Sequence, residues 1–353
     1  MSKGLDLFFF FGRPFSPVYS VLMKSREKLY RRGIFRGHSL PVPVIAVGNL
    51  VLGGTGKTPT VQHIARVLLS KGYRPAIISR GYGGKTKEAV NVVSDGENIF
   101  LSPEIAGDEP CMLAESLAGV AVLTGTRRIF PCRHAIDHLH ADVIILDDGF
   151  QHLNVKRDID IVLFDGTVQA GNSRVFPGGP LREPVSALKR CHGFLLTGEN
   201  PVNRERTQKF ATLLQKKFPA KPVFISSLEA YELQGPDGSV AAESVSGKFY
   251  GFCGIANPGR FAKSLADYGL PLAGFHALKD HISYNQESAA QLSKKAIDCG
   301  AANLITTEKD YVKLRTLDLS LPLFVLKAHH KVEQAFDDFL LAELEKTGKP
   351  HPG

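Results

Sequence analysis

Gly53-Gly54-Thr55-Gly56-Lys57-Thr58 is the first segment in this chain whose residue types and spacing could do chemistry. It follows a short apolar run, Val42–Val47, and precedes a helical pattern from Thr58 to Leu69. Glycines let backbone N–H groups curl around phosphate oxygens, and the start of a helix adds its positive dipole end. Lys57 is placed to reach terminal phosphates, and the Thr58 hydroxyl to ligate Mg²⁺. The full G-x-x-x-x-G-K-[ST] pattern asks for glycine at position 51, where this chain has Val51. The flanking strand and helix favour a phosphate loop over an ordinary Gly-rich turn. A phosphate loop needs an acidic partner at the end of a buried strand. Val143-Ile144-Ile145-Leu146-Asp147-Asp148 supplies two carboxylates, and Gly149-Phe150-Gln151-His152 follows. Thr307-Glu308-Lys309-Asp310 approaches the [NT]-K-x-D guanine reader, but its lysine stands one place too late.

Phosphoryl transfer also needs a group that positions or deprotonates the attacking hydroxyl. Asp108, in Gly107-Asp108-Glu109-Pro110, and His281, in Lys279-Asp280-His281-Ile282-Ser283-Tyr284, are the candidates. Each has a structural alternative: Asp108 as the N-cap of a helix, His281 as a loop histidine bonded to backbone. Arg80-Gly81-Tyr82-Gly83-Gly84, Thr126-Arg127-Arg128, Arg174 and Pro177–Pro184 are basic or Gly-rich stretches suited to line a cleft. Arginine favours planar, bidentate phosphate recognition.

The elements that must position these residues read as an alternation of strand and helix. Ala76–Ser79, Val120–Leu123, Val143–Leu146, Ile159–Phe164 and Phe194–Leu196 are short apolar runs. They predict an α/β fold of the P-loop NTPase type, with a mostly parallel sheet covered by helices. A second series has strands at Val223–Ser226, Phe249–Cys253, Leu272–Ala277, Leu304–Thr306 and Leu323–Val325. It predicts a second, smaller α/β domain. Helices are expected from Asn257-Pro258, over Gln286–Cys299 and over Val332–Leu344, with a turn at Gln234–Gly238. The expected division is a basic segment over 1–36, a nucleotide-binding domain over 37–222 with 330–353 as the candidate segment to complete it, and a smaller domain over 223–329. Hinges are expected near 218–228 and 326–331.

The chain has 353 residues, 43% of them apolar and 22% charged, and a net charge of +8. These values exclude disorder, collagen and a disulfide scaffold. Six of the eight net charges fall in residues 1–36, which also carry Phe8-Phe9-Phe10-Phe11 and Phe15. From Pro17 to Arg32 a helical projection puts Val18, Val21, Leu22 and Leu29 on one face, opposite Lys24, Glu27, Lys28 and Arg31. Ser16-Pro17 reads as its cap and first residue. A basic amphipathic helix behind an aromatic run fits a membrane-interface anchor, and equally a surface helix packed on the core. No apolar run is long enough to span a bilayer. Asp6 and Arg13 interrupt the secretory-signal pattern. Five scattered cysteines without C-x-x-C point to a reducing cytosol rather than disulfides or zinc.

Taken together, these motifs resemble the tetraacyldisaccharide 4′-kinase (lipid A 4′-kinase) family, over nearly the whole chain. The resemblance runs through Val47-Gly48-Asn49, Gly53–Pro59, Ser79–Gly83, Gly107–Pro110, Asp147–His152, Gly179–Pro184 and Thr306–Asp310. One departure is Ile282, where the family usually has a second histidine after His281. The resemblance implies transfer of the γ-phosphate of ATP to the 4′-hydroxyl of an acylated glucosamine disaccharide 1-phosphate. It implies Asp108 as the base aided by His281, with Lys57 and Thr58 holding phosphate and Mg²⁺. Glu109, Asp147 and Asp148 surround the metal in this reading. Gly53 to Thr58 bind the nucleotide, and Asn49, Arg80, Tyr82, Arg127, Arg128 and Arg182 meet substrate. It further implies a peripheral enzyme on the cytoplasmic face of an inner membrane, with an anionic membrane surface as partner and no nucleic acid. The competing readings are a P-loop ATPase or GTPase switch without a lipid acceptor, and a nucleic-acid binder using the basic arm.

Overall fold

The computed structural model of the chain describes residues 3–86, 88–280 and 282–349. His281 therefore lies outside the described residues. The chain begins with two helices, α1 (Lys3–Gly12) and α2 (Ser16–Arg31), joined by a single 3₁₀ turn. The first alternating series follows as β1 (Val44–Asn49), α3 (Lys57–Ser70), β2 (Pro75–Ser79) and β3 (Asn91–Ser94). It continues with α4 (Pro103–Ala106), α5 (Asp108–Ser116), β4 (Ala121–Thr124), α6 (Ile129–Leu139) and β5 (Val143–Asp147). Then come β6 (Ile159–Asp165), β7 (Gly193–Glu199), α7 (Arg204–Lys217), β8 (Val223–Gly235) and β9 (Gly238–Val240). The last third holds β10 (Phe249–Cys253), α8 (Pro258–Asp267), β11 (Leu272–Ala277), α9 (Gln286–Asp298) and β12 (Asn303–Thr306). It ends with α10 (Glu308–Leu314), β13 (Leu323–Val332) and α11 (Gln334–Lys346).

One sheet runs through the molecule in the order β11-β10-β12-β13-β8-β7-β6-β1-β5-β2-β4-β3, with β9 attached to β8. Neighbours are parallel except at β3–β4, β8–β9 and β8–β13. The strands around the phosphate loop are buried along their whole length, β1, β2, β5 and β6 without exception. That is why they read as continuous apolar runs. On one face Val61, Ile64 and Leu68 of α3 share a core with Leu113 of α5 and with Phe336, Leu340 and Leu344 of α11. Cys132 and Ala135 of α6, and Leu214 of α7, pack on the other face. Around β10 two further cores form, one with Phe261 and Leu265 of α8, the other with Leu292 and Ala296 of α9.

Several boundaries differ from the sequence reading, each for a physical reason. The strands expected at Val223–Ser226 and Leu323–Val325 continue to Gly235 and Val332. Their extensions pair with each other, from Ser226↔Val332 to Gln234↔Val325. This two-stranded stretch is mostly half-buried and rich in polar residues, so it lacks an apolar run. Ser16 is not a helix cap: its hydroxyl donates to the Val175 carbonyl at 2.6 Å and accepts the Gly178 N–H at 2.8 Å. Asp108 is the first residue of α5, and the cap position belongs to Gly107. Gly107 has φ +97°, and a Cβ there would sit 2.5 Å from the Tyr82 carbonyl oxygen. The Gly-rich loop after β2 thus lies directly against the turn that opens α5.

Candidate active site

The phosphate loop links β1 to α3 and is held from behind. Asn49, fully buried, donates from its amide to the carbonyls of Val51 and Gly53 at 2.7 and 3.3 Å. The Thr197 hydroxyl at the end of β7 donates to the Thr55 carbonyl at 2.9 Å. Gly56 caps α3 in the left-handed region, φ +71°, and delivers Lys57 as the first helical residue. Gly53 through Thr58 all face a cavity of about 1220 Å³. Three buried oxygens of the described lining residues lack a hydrogen-bond partner, Thr55 Oγ1, Ser79 Oγ and Asp147 Oδ1.

Asp147 ends β5 and Asp148 follows it into the same cavity, with their carboxyls shifted in opposite directions. Asp147 is buried, and desolvation followed by the nearby Glu109 carboxylate pushes it up to about 7. Burial alone would also raise Asp148, but Lys57 and then Arg182 outweigh it and hold this carboxyl below the usual range. Lys57 Nζ lies 3.7 Å from Asp148 Oδ1, and Arg182 Nη1 donates to both Asp148 oxygens at 2.9 and 2.8 Å. Asp148 takes φ +51°, a conformation aspartate tolerates better than most residues. Arg182 is brought in because Leu181 bridges Val51 and the Arg182 N–H donates to the Leu50 carbonyl at 2.8 Å. The Gly-rich stretch around it therefore runs beside the entry to the phosphate loop.

Two more groups are tuned by burial. Arg128, buried at the start of α6, has its pKa lowered by desolvation. His152 is held down to about 4 by burial and by Arg128, Arg157, Arg26 and Arg80, so it is neutral at pH 7. Both line the cavity, as do Arg80, Tyr82, Glu109 and Arg182. Arg127 is turned away: it stacks over Phe130 at 5.0 Å and lines a separate pocket with Tyr30, Phe35 and Arg36. Asp108 points toward α10, where its Oδ2 lies 3.3 Å from Lys313 Nζ.

Sequence reasoning missed several lining residues. His330 on β13 is buried, bonds Thr60 Oγ1 at 3.1 Å and packs on Gly56, where a Cβ would come 2.7 Å from its ring. Burial and the Arg260 charge push His330 down to about 3. No motif marks it, because it sits on the polar extension of a strand. Arg260 of α8 pairs with buried Asp165 at the end of β6. Tyr19, Met23 and Arg26 of α2 also face the cavity, so the N-terminal helix forms one of its walls.

The glycine cradle, the lysine, two strand-end carboxylates and orphaned polar oxygens suit a polyphosphate with a divalent cation. Among the described residues no three His, Cys, Asp or Glu side chains cluster as a self-sufficient metal site. A cation here would share its ligands with phosphate oxygens, as Mg²⁺ does.

Comparison with known proteins agrees with this chemistry. The sequence profile described as Tetraacyldisaccharide-1-P 4′-kinase matches residues 8–345. A protein named tetraacyldisaccharide 4′-kinase from Desulfotalea psychrophila is 47% identical over 348 residues, covering 98% of this chain and 99% of its own. One of the same name from Syntrophus aciditrophicus is 40% identical over 346 residues, covering 95% and 92%. The crystal structure of LpxK from Aquifex aeolicus in complex with ATP aligns with TM-score 0.73 at 30% identity, covering 94% of this chain and 98% of its own.

Proposed function

The chain belongs to the tetraacyldisaccharide-1-P 4′-kinase family, and from that premise we propose that it phosphorylates the 4′-hydroxyl of a lipid A precursor, a tetraacyldisaccharide 1-phosphate, with ATP. The observation that carries this reading is one cavity with two kinds of wall. The phosphate loop and strand-end carboxylates form one side, and α2 forms another. The far side of α2 and its neighbour α1 present Leu7, Phe8, Phe10, Phe11, Phe15, Val18, Val21 and Leu22, each at least half exposed. An acceptor served by such a site must join a polar reacting head to an apolar tail.

The proposed reaction is an in-line phosphoryl transfer in which Asp108 takes its role from the family resemblance. The 4′-oxygen attacks the γ-phosphorus, the β–γ P–O bond breaks, and ADP leaves. The hydroxyl proton passes to the Asp108 carboxylate, with His281 assisting as the family resemblance implies. Lys57 and the loop amides follow charge on the phosphates, where preorganised donors are most effective. Mg²⁺, held with Thr58, Glu109, Asp147 or Asp148, would neutralise phosphate charge when bound. Lys57 and Arg182 favour the ionised form of Asp148, whereas burial and then Glu109 raise Asp147. Arg80, Tyr82, Arg128 and Arg182 support binding of the anionic substrates. Asn49 acts through the loop it braces.

No helix among the described residues is long and apolar enough to cross a membrane. The exposed aromatic face of α1 and α2, flanked by the basic residues of the N-terminal arm, supports peripheral binding to the cytoplasmic face of an inner membrane. The deciding experiment is transfer of label from γ-labelled ATP to a tetraacyldisaccharide 1-phosphate in detergent micelles, with and without Mg²⁺. A labelled lipid that depends on Mg²⁺ is expected. ATP hydrolysis without a labelled lipid would overturn the kinase reading in favour of a nucleotide switch.

A further inference from the structure

The residue that meets Asp108 comes from the far side of the cleft, and its surroundings are unusually complete. Lys313 of α10 has a side chain only 8% exposed. Its ammonium donates to the Ile282 carbonyl at 2.9 Å and forms ion pairs with Asp108 Oδ2 and Asp310 Oδ1, each at 3.3 Å. The Tyr284 ring centroid lies 5.3 Å away, within cation–π range. Asp310, fully buried, is itself immobilised. It accepts the Gly254 N–H at 2.8 Å and the Thr307 hydroxyl at 2.9 Å on Oδ2, and the Tyr284 hydroxyl at 3.1 Å on Oδ1. Thr307 also caps α10 by accepting the Asp310 N–H. The position of the ammonium is therefore set by the β10–β13 part of the molecule before Asp108 reaches it.

We propose that Lys313 is a positioning residue for phosphoryl transfer: it orients the Asp108 carboxylate when α10 docks against α5, and so links docking of the two halves of the cleft to chemistry. The proposal rests on the reading of Asp108 as the base. Asp108 is the first residue of α5, and Lys313 reaches its carboxylate from the opposite wall. A lysine anchored there favours one orientation of the carboxylate. The same ammonium holds the Ile282 carbonyl, the residue after His281, so it ties both proposed catalytic segments to one point. Proton transfer demands such alignment, and a misplacement of about 1 Å can cost on the order of 10²-fold in rate.

The fold supplies its own control. Arg315 pairs with Glu115 at 2.8 Å between the same two helices. Arg315→Met removes an ion pair to the same helix, α5, without touching Asp108.

The test is a double-mutant cycle on the full chain, measuring kcat, KM for ATP and thermal unfolding of Lys313→Met, Asp108→Ala, the double variant and Arg315→Met. Lys313→Met is expected to lower kcat about 10²-fold with KM for ATP little changed. In the Asp108→Ala background it should cost almost nothing more. Arg315→Met should keep most of kcat. Equal losses from Lys313→Met in both backgrounds, or equal losses from Lys313→Met and Arg315→Met, would overturn the proposal and leave Asp108 as the base. An Asp108→Ala enzyme with normal kcat would remove the base reading and the proposal together. Lys313→Arg keeps Asp310 paired and serves the same cycle if the methionine variant unfolds early; its planar fork should restore kcat only in part.

Discussion

At the level of single residues the site pushes neighbouring carboxyls in opposite directions. Asp148 is lowered by Lys57 and Arg182, whereas Asp147, one residue earlier, is raised by burial and Glu109. Lys57→Ala removes a donor from the phosphates but leaves Arg182 on Asp148. It should therefore lower kcat about 10²- to 10³-fold while thermal stability changes little; label transfer beside calorimetry checks this, and near-normal turnover would refute the phosphate-loop assignment. The buried histidines make a second, independent prediction. His330 is held down to about 3 by burial and the Arg260 charge, against an unfolded value near 6.5. Below about pH 6.5 the unfolded chain gains a proton there and the folded chain does not. This contribution to stability is thus complete above the unfolded value and lost as pH falls toward the folded one. His152, lowered to about 4, acts with the same sign. The melting temperature should fall between about pH 7.5 and pH 5, and less steeply in His330→Gln. Equal slopes in both proteins would show that His330 is not held neutral. The catalytic motifs were legible in the sequence because glycine, lysine and paired aspartates leave a fixed spacing at strand ends. His330 and Arg260 were not, because a residue delivered by tertiary contact leaves no local pattern.

Among the elements, α2 had two equal sequence readings, a membrane-interface anchor and a surface helix packed on the core. The stripe of Val18, Val21 and Leu22 is not covered by the core: those three side chains are 61%, 61% and 58% exposed. The helix is seated through Tyr19, Met23 and Arg26, with Tyr19 against Phe176 at 5.8 Å and Arg26 donating to the Gln151 carbonyl at 3.0 Å. Helical periodicity identifies an apolar face but not what covers it. Burying a large apolar side chain stabilises by about 1.5–3 kcal/mol, so three aromatics inserted into lipid outweigh the cost of confining one helix to a surface. Replacing Phe10, Phe11 and Phe15 with serine should release the protein from anionic vesicles, because none of the three is buried in the fold. Phe9, only 4% exposed, is left in place to keep α1 seated. Co-sedimentation with vesicles reads the outcome, and undiminished sedimentation would rule out this face as the anchor. The strands show the converse case. Those buried along their whole length were found within one or two residues, whereas β3, an antiparallel edge strand of four residues, left no signal. α6 and α7 were also not anticipated. α7 opens Arg-Glu-Arg-Thr-Gln-Lys and buries only Thr207 and Leu214, so its apolar periodicity is thin.

Across the whole molecule, the cleft is closed by few contacts and spanned by one ribbon. Between β7 and β12 the sheet consists only of β8 and β13. Their antiparallel pairing shifts register at Lys327/Ala328, and β8 leaves its parallel partner β7 beyond Ser227. Such irregularities bend and twist a two-stranded stretch more readily than a wide sheet. The sequence reading placed hinges near 218–228 and 326–331, and we propose that the ribbon is where they operate. The contacts that hold the two sides together include three ion pairs, Arg260 with Asp165, Lys313 with Asp108, and Arg315 with Glu115, beside His330 packed on the phosphate loop. Only the Arg315–Glu115 pair is partly exposed and worth about 1 kcal/mol or less, whereas opening must rehydrate the buried Asp165 and Lys313. Polyphosphate bound between the loop and Arg260 would add charge-assisted bonds to both sides and favour the closed arrangement. The consequence is measurable in solution. Adding a non-hydrolysable ATP analogue with Mg²⁺ should shrink the radius of gyration by X-ray scattering, and raising salt without nucleotide should enlarge it. Amide exchange should slow on α5 and α10 with nucleotide, whereas the central pairs of β1 with β5 and β6 should stay protected throughout. A radius unchanged by either nucleotide or salt, with equal exchange at α5 and α10, would mean that the ribbon is a rigid strut and that substrate enters a cleft already formed.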